Sequence, residues 1–114
     1  MQNRKTRLAR SETEYLMPKK IGVIYSDVRR EYFPTEAQYI TEKDADADAR
    51  LIGDYLRQLG IEVHLYPGNA RLPERLRHDR PEMVLNLVDS VKGDESLAAA
   101  IPGVLELLEI PYTG

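Results

Sequence analysis

Three short apolar runs organise the pattern of hydrophobic and polar positions after residue 19. They occupy residues 21–25, 61–66 and 83–88 and are rich in Ile, Val and Leu. Runs of this length and composition are typical of β-strands. The second run alternates apolar and polar residues, whereas the first and third are nearly continuous, as in parallel strands covered on both faces. Residues 110–113 predict the start of a fourth strand.

Between the first two runs, the spacing of apolar residues changes to that of a helix. The apolar residues recur at steps of four, three, four and three, which places them on one helical face. They are Ala45, Ala49, Ile52, Leu56 and Leu59. Thr41 and Asp44 are predicted to cap the start of this helix, and Gly60 to cap its end. Residues 28–40 show no clear periodicity and predict a long loop, of a kind that often carries function.

Two further helices are predicted nearer the C-terminus. The shorter one spans residues 72–78, and the second begins at about Glu95. Pro102 should kink or divide the second helix, because its nitrogen cannot donate to the carbonyl four residues earlier. The predicted apolar face of that helix consists of Leu97, Ile101, Val104, Leu105 and Leu108.

Strands and helices alternate along the chain, which predicts right-handed crossovers between parallel strands. The predicted fold is α/β, a three-layer α/β/α arrangement around a parallel sheet of about four strands, Rossmann-like in architecture. Residues 19–114 are expected to form this single domain. Residues 1–18 are expected to be a flexible, solvated N-terminal extension.

The composition of the chain excludes several classes of partner and site. The formal net charge is −3 and the pI is about 5.4, so no overall positive field attracts nucleic acid or an anionic membrane. The sequence contains no cysteine, which excludes disulfides, thiolate metal sites and cysteine nucleophiles. No apolar run approaches membrane-spanning length. These features predict a cytoplasmic protein without nucleic-acid or membrane partners.

The candidate ligand surface lies where the predicted strands end. Ser26 and Asp27, residues 67–69, and Asp89 and Ser90 follow the three strands and should meet at one edge of the sheet. The turn after the first strand lacks the G-x-G-x-x-G pattern, and the sequence has no phosphate loop. The chain alone is therefore expected to bind no nucleotide, and no catalytic, cofactor-binding or metal-binding residue is assigned to it.

The last third of the chain resembles a known family. Residues 84–89, the segment Gly93-Asp94-Glu95, and residues 101–114 with their ending Leu-Glu-Leu-Leu-Glu-Ile-Pro-Tyr-Thr-Gly are similar to the N-terminal domain of D-alanine–D-alanine ligases and their relatives. Residues 20–24 and 56–60 fit the same pattern. The similarity covers residues 19–114 and is most specific at its end.

This resemblance implies a pre-ATP-grasp domain, the amino-terminal part of an ATP-dependent carboxylate–amine ligase. ATP and Mg²⁺ would be required by the longer parent protein, whose C-terminal ATP-grasp domain is the expected partner of this domain. The resemblance implies an amino-acid-like substrate. Tyr25-Ser26 and Asp89-Ser90 stand where those ligases have Gly-Gly and His-Gly, which favours a substrate other than D-alanine. The candidate substrate-binding residues are Asp27, Glu31, Glu36, Glu42, Asp89 and Ser90.

Two alternatives of other classes stay open. Asp89 at the end of the third strand, with Asp27 as an acidic neighbour, is also compatible with a phosphoacceptor module of the receiver type. A free-standing binding or dimerisation domain is the second alternative, and a second copy of the chain is a candidate partner.

Overall fold

Four parallel strands form one sheet in the computed structural model, which describes residues 18–114. The strands are β1 (Lys20–Tyr25), β2 (Glu62–Pro67), β3 (Met83–Asn86) and β4 (Tyr112–Thr113). Their order across the sheet is β2-β1-β3-β4, and in this register Ile21 lies beside Val63 on one side and Met83 on the other. The chain is an α/β protein with an all-parallel, Rossmann-like sheet, as the sequence predicts. Residues 1–17, nearly all of the predicted N-terminal extension, lie outside the described residues.

Helices pack on both faces of the sheet. The helices are α1 (Glu36–Glu42), α2 (Ala45–Gln58), α3 (Leu72–Asp79) and α4 (Ala100–Leu107), of which α2 covers one face and α3 and α4 the other. On one face, Ala49 of α2 joins Ile21 in a buried cluster. On the other, Leu76 of α3 and Leu105 of α4 pack against Ile24. Each fully buried apolar side chain contributes about 1.5–3 kcal/mol, so these layers specify the fold without a ligand.

Helix α2 confirms the clearest prediction from the sequence, with two differences. Ala49 is buried as predicted, and Gly53 is buried beside it because α2 packs closely on β2: a Cβ on Gly53 would lie 3.1 Å from the Leu65 side chain. Leu59 belongs to the predicted apolar face, but it is 51% exposed. It follows the last residue of α2, where the chain turns away from the helical path through Gly60 at φ 85°.

The predicted capping pair at the start of α2 is wrong. Thr41 belongs to the preceding helix, and its hydroxyl donates a 2.7 Å hydrogen bond to the carbonyl of Gln38. Asp44 is the N-cap residue of α2, but its side chain makes no capping hydrogen bond. The acidic first turn of α2, with Asp46 and Asp48, still favours the helix start through the helix dipole.

The prediction of a long loop over residues 28–40 is also wrong. A 3-10 helix (Arg30–Tyr32) and the start of α1 occupy this segment. Helix α1 begins where the Thr35 hydroxyl accepts a 3.2 Å hydrogen bond from the backbone N–H of Gln38. No residue of α1 is fully buried, which explains why its sequence carries no apolar periodicity.

The helical segment that begins at Glu95 is divided into two short pieces near Pro102, as the sequence predicts. A 3-10 helix (Glu95–Ala99) precedes α4, and Pro102 lies in the first turn of α4, where its missing N–H costs little. Ile101 is buried as predicted, but Leu97, which lies in the 3-10 helix, is 45% exposed. Strand β3 ends at Asn86, two residues earlier than expected.

The predicted fourth strand is present as β4, which pairs with β3 in parallel register. No helix within residues 18–114 is both long enough and apolar enough to cross a membrane.

Candidate functional site

The carboxyl ends of β1, β2 and β3 meet at one edge of the sheet. The backbone N–H of Gly68, after β2, donates a 2.8 Å hydrogen bond to the carbonyl of Tyr25 at the end of β1. Asn69 Nδ2 then donates to Asp27 Oδ2 at 3.2 Å. Asp27 and residues 67–69 therefore lie side by side, as expected for parallel strands that end together.

The loop after β3 is tied to the same edge through Ser26. Its Oγ atom accepts hydrogen bonds from the backbone N–H groups of Asp89 at 2.9 Å and Ser90 at 3.5 Å. Ser26 and Ser90 are each only 2% exposed, whereas Asp89 is exposed. The Ser90 hydroxyl in turn donates a 2.7 Å hydrogen bond to Glu42 Oε1. Both serines thus make internal contacts, whereas the neighbouring Asp89 is open to solvent.

The three candidate glutamates occupy different surroundings. Glu42, the last residue of α1, reaches the strand-end edge through Ser90. Glu36 is exposed at the start of α1 and forms a salt bridge with Arg30 at 2.7 Å. Glu31 is exposed in the 3-10 helix. The structure therefore brings Asp27, Glu42 and Ser90 toward one edge and leaves Glu31 and Glu36 on the surface beside it.

A cleft of about 270 Å³ opens at this edge, between the strand ends and helices α3 and α4. Asp27 and Lys92 are its charged lining residues, and Tyr32 and Asn69 add polar groups. The walls from the two helices are apolar and include Leu72, Ile101 and Val104. An apolar cleft with a few convergent polar groups is the usual form of a small-molecule site.

The Asp27 carboxylate is fixed in position at the cleft. Asn69 donates its hydrogen bond to Asp27 Oδ2, and Arg29 Nη2 lies 3.4 Å from the same oxygen. The hydrogen bond to Asp27 raises the pKa of the Arg29 guanidinium. A carboxylate with these neighbours is pre-oriented and keeps lone pairs free for a ligand cation.

Asp27 also lines a smaller cleft of about 200 Å³ on the other side of β1, together with Tyr25, Lys43 and Asp46. Burial raises the pKa of the Tyr25 phenol, and the charges of Asp46 and Asp27 raise it further. Tyr25 is therefore a neutral hydrogen-bonding group at neutral pH. Among residues 18–114, no group of three or more His, Asp or Glu side chains is arranged to hold a metal ion.

Among the lining residues of the larger cleft, Asn69 lies in the turn that the sequence places at this edge, whereas Lys92 and Tyr32 are not among the predicted site residues. Lys92 lies in the polar loop after the third strand, directly before Gly93. Lys-Gly is not among the dipeptides preferred in two-residue tight turns, so the sequence pattern does not indicate the position of this side chain.

No protein-family model matches the chain, and no curated protein is significantly similar to it. The ligase resemblance stays a prediction from the sequence motifs in residues 84–89, 93–95 and 101–114, with residues 20–24 and 56–60.

Proposed function

We propose that residues 19–114 are the substrate-side, pre-ATP-grasp domain of an ATP-dependent carboxylate–amine ligase related to D-alanine–D-alanine ligases. The observation that carries this proposal is the cleft at the carboxyl edge of the sheet, where the Asp27 carboxylate is fixed beside apolar walls. In the ligases that the chain resembles, a carboxylate is activated with ATP and Mg²⁺ as an acyl phosphate, and an amine then attacks it. The ATP-grasp partner would hold the nucleotide and the metal.

The contribution of this domain is substrate positioning. A parallel sheet binds its ligand in the crevice outside the carboxyl ends of its strands, and Asp27 lies in that crevice. Its carboxylate is suited to receive the ammonium group of an amino-acid-like substrate through a charge-assisted hydrogen bond. Fixing one end of the substrate lowers the entropic cost of bringing the reacting groups together.

The surroundings of the site favour a substrate other than D-alanine. Ser26 and Ser90 stand where the resembled ligases have glycines, and both hydroxyls are used in internal hydrogen bonds. Asp89, at the position of the ligase histidine, has an exposed side chain. The cleft has a volume of about 270 Å³ and apolar walls that include Leu72 and Ile101, so it can accept a side chain larger than a methyl group.

Binding to the 114-residue chain tests the proposal. The amide resonances of an isotope-labelled sample are followed while alanine and leucine of both configurations are added, and shifts are expected around Asp27 and residues 68–70. Asp27→Asn should weaken binding about tenfold, since it removes the charge that pairs with the ammonium group. Glu36→Gln is the matched control, because Glu36 is exposed and already paired with Arg30.

A second titration uses ATP with Mg²⁺, for which no specific binding is expected. Micromolar ATP affinity of this chain would contradict the assignment of the nucleotide to a partner domain. Amino-acid-induced shifts confined to surfaces away from the cleft would contradict the assignment of the substrate site.

Four further sequence-based expectations stay predictions. They are the receiver-type phosphoacceptor, the free-standing binding or dimerisation domain, the second copy of the chain as a partner, and the cytoplasmic location.

A further inference from the structure

Lys92 occupies the tip of a tight turn beside the cleft. Val91 and Asp94 exchange two backbone hydrogen bonds, of 3.1 and 3.0 Å, which close a two-residue turn. The central residues have positive φ angles, 54° at Lys92 and 76° at Gly93. Positive φ at both positions defines a type I′ turn, for which Asn-Gly and Gly-Gly are the preferred sequences.

A lysine is an unusual residue at the first of these positions. Its Cβ makes the left-handed conformation unfavourable, whereas Asn or Gly adopts it with less strain. The turn packs closely against the 3-10 helix of residues 30–32. A Cβ on Gly93 would overlap the backbone carbonyl of Tyr32 in that helix. Lys92 therefore has a backbone conformation that lysine disfavours, in a turn that packs against Tyr32, another lining residue of the cleft. Backbone strain of this kind is typical of functional positions.

The cleft contains the opposite charges of the Asp27 carboxylate and the Lys92 ammonium group, which form no salt bridge with each other. Asp27 and Lys92 both line it, and the salt bridge of Asp27 is with Arg29. No carboxylate within residues 18–114 forms a salt bridge with Lys92. Apolar side chains such as Ile101 lie in the same cleft, so a ligand there meets an anion, a cation and an apolar wall.

We propose that Lys92 determines specificity by binding the carboxylate of a zwitterionic amino acid whose ammonium group lies on Asp27. This inference rests on the proposed function and names its substrate class: an α-amino acid with an apolar side chain, held against the walls from α3 and α4. An amine that lacks the carboxylate would keep the Asp27 contact and lose the Lys92 contact. The volume of about 270 Å³ suits a ligand of this size.

The test compares leucine, as both enantiomers, with 3-methylbutylamine, which is leucine without its carboxylate. Dissociation constants are measured on the 114-residue chain from the amide shifts of the turn and of the Asp27 segment. The better-binding leucine enantiomer is expected to bind about tenfold more tightly than the amine, as one charge-assisted hydrogen bond allows.

The decisive variant is Lys92→Asn, since asparagine suits the left-handed position and the turn should be at least as stable as in the wild type. It should weaken leucine binding about tenfold and change amine binding less than about twofold. Lys19→Asn is the matched control, because Lys19 is an exposed lysine before the start of β1, at the opposite edge of the sheet. An unchanged unfolding midpoint shows that the variant is folded.

The outcomes separate this inference from the proposed function. If leucine and the amine both bind in a manner that depends on Asp27, but Lys92→Asn leaves both affinities unchanged, the role of Lys92 is overturned and the substrate cleft stands. If neither probe shifts the cleft resonances at about 50 mM, both proposals are overturned.

Discussion

The hydroxyl of Ser90 donates a 2.7 Å hydrogen bond to Oε1 of Glu42, although 48 positions separate the two residues in the sequence. Glu42 is the last residue of α1, a helix without a fully buried side chain, and Ser90 lies in the buried part of the loop after β3. The bond therefore ties a weakly packed helix to the loop that leads to Lys92. We expect it to fix the position of both elements at the edge of the cleft.

Replacing Ser90 tests this connection. Ser90→Ala removes the donor and leaves the half-buried Glu42 carboxylate without this partner, so the free energy of unfolding should fall by about 1–3 kcal/mol. Urea denaturation measures the change. Glu36→Gln, which alters an exposed carboxylate of the same helix, should cost less than about 0.5 kcal/mol. Equal effects of the two substitutions would show that the bond to Glu42 contributes nothing specific.

Two glycines with opposite surroundings provide a second prediction. Gly93→Ala places a Cβ against the Tyr32 carbonyl at a position with φ 76°, so we expect a loss of at least about 2 kcal/mol of stability. Gly103→Ala should instead stabilise the chain by about 0.5–1 kcal/mol, because this glycine lies in α4 with no atom within 4 Å of the added carbon. Thermal unfolding of both variants gives the comparison, and destabilisation of similar size in both would contradict it.

The buried ring of Tyr66 predicts a pH effect. Its hydroxyl donates a 2.7 Å hydrogen bond to Asp79 Oδ2. Burial is the main cause that raises the pKa of the phenol, and the hydrogen bond to Asp79 raises it further. The pKa of the Asp79 carboxyl is lowered by its hydrogen bonds to His78 and to Tyr66. A carboxyl group with a lowered pKa stabilises the fold above its unfolded value of about 3.9, and this contribution disappears as the pH falls through the lower folded value.

Tyr66→Phe should therefore raise the pKa of Asp79, although not to its ordinary value, since the contact with His78 remains. The dependence of the unfolding free energy on pH below about 4 should become shallower. Carboxyl NMR titration and urea unfolding at a series of pH values measure both effects. Tyr112→Phe is the control, because its hydroxyl contacts the exposed Glu106 and not Asp79. An identical Asp79 titration in wild type and Tyr66→Phe would refute the assigned cause.

The receiver-type alternative makes a different prediction at Asp89. A phosphoacceptor would gain the mass of one phosphoryl group when incubated with acetyl phosphate and Mg²⁺, and Asp89→Asn would abolish the gain. Under the proposed function we expect no change in mass. Intact-protein mass spectrometry at neutral pH decides between them, and a phosphorylated species that depends on Asp89 would exclude the ligase assignment of this edge.

Much of the site could be placed from the sequence, because parallel strands necessarily end at one edge. Asp27 and the turn after β2 were expected together and are joined by the hydrogen bond from Asn69. The choice among the loop glutamates could not be made in the same way. Glu31, Glu36 and Glu42 are equivalent in a segment without periodicity, and only the folded position of Ser90 distinguishes Glu42 from the other two.

The sequence by itself determined the layers of this protein. A buried face must be apolar at the period of its element, so the runs of β1 to β3 and the face of α2 around Ala49 were visible as patterns. Helix α1 was not, because it buries no residue fully and leaves no apolar stripe. The tertiary structure alone decided which polar groups meet: the Ser90–Glu42 bond, and the turn that presents Lys92 at the cleft of Asp27. Such contacts join distant parts of the chain through single hydrogen bonds and charges, which impose no repeating pattern on the sequence.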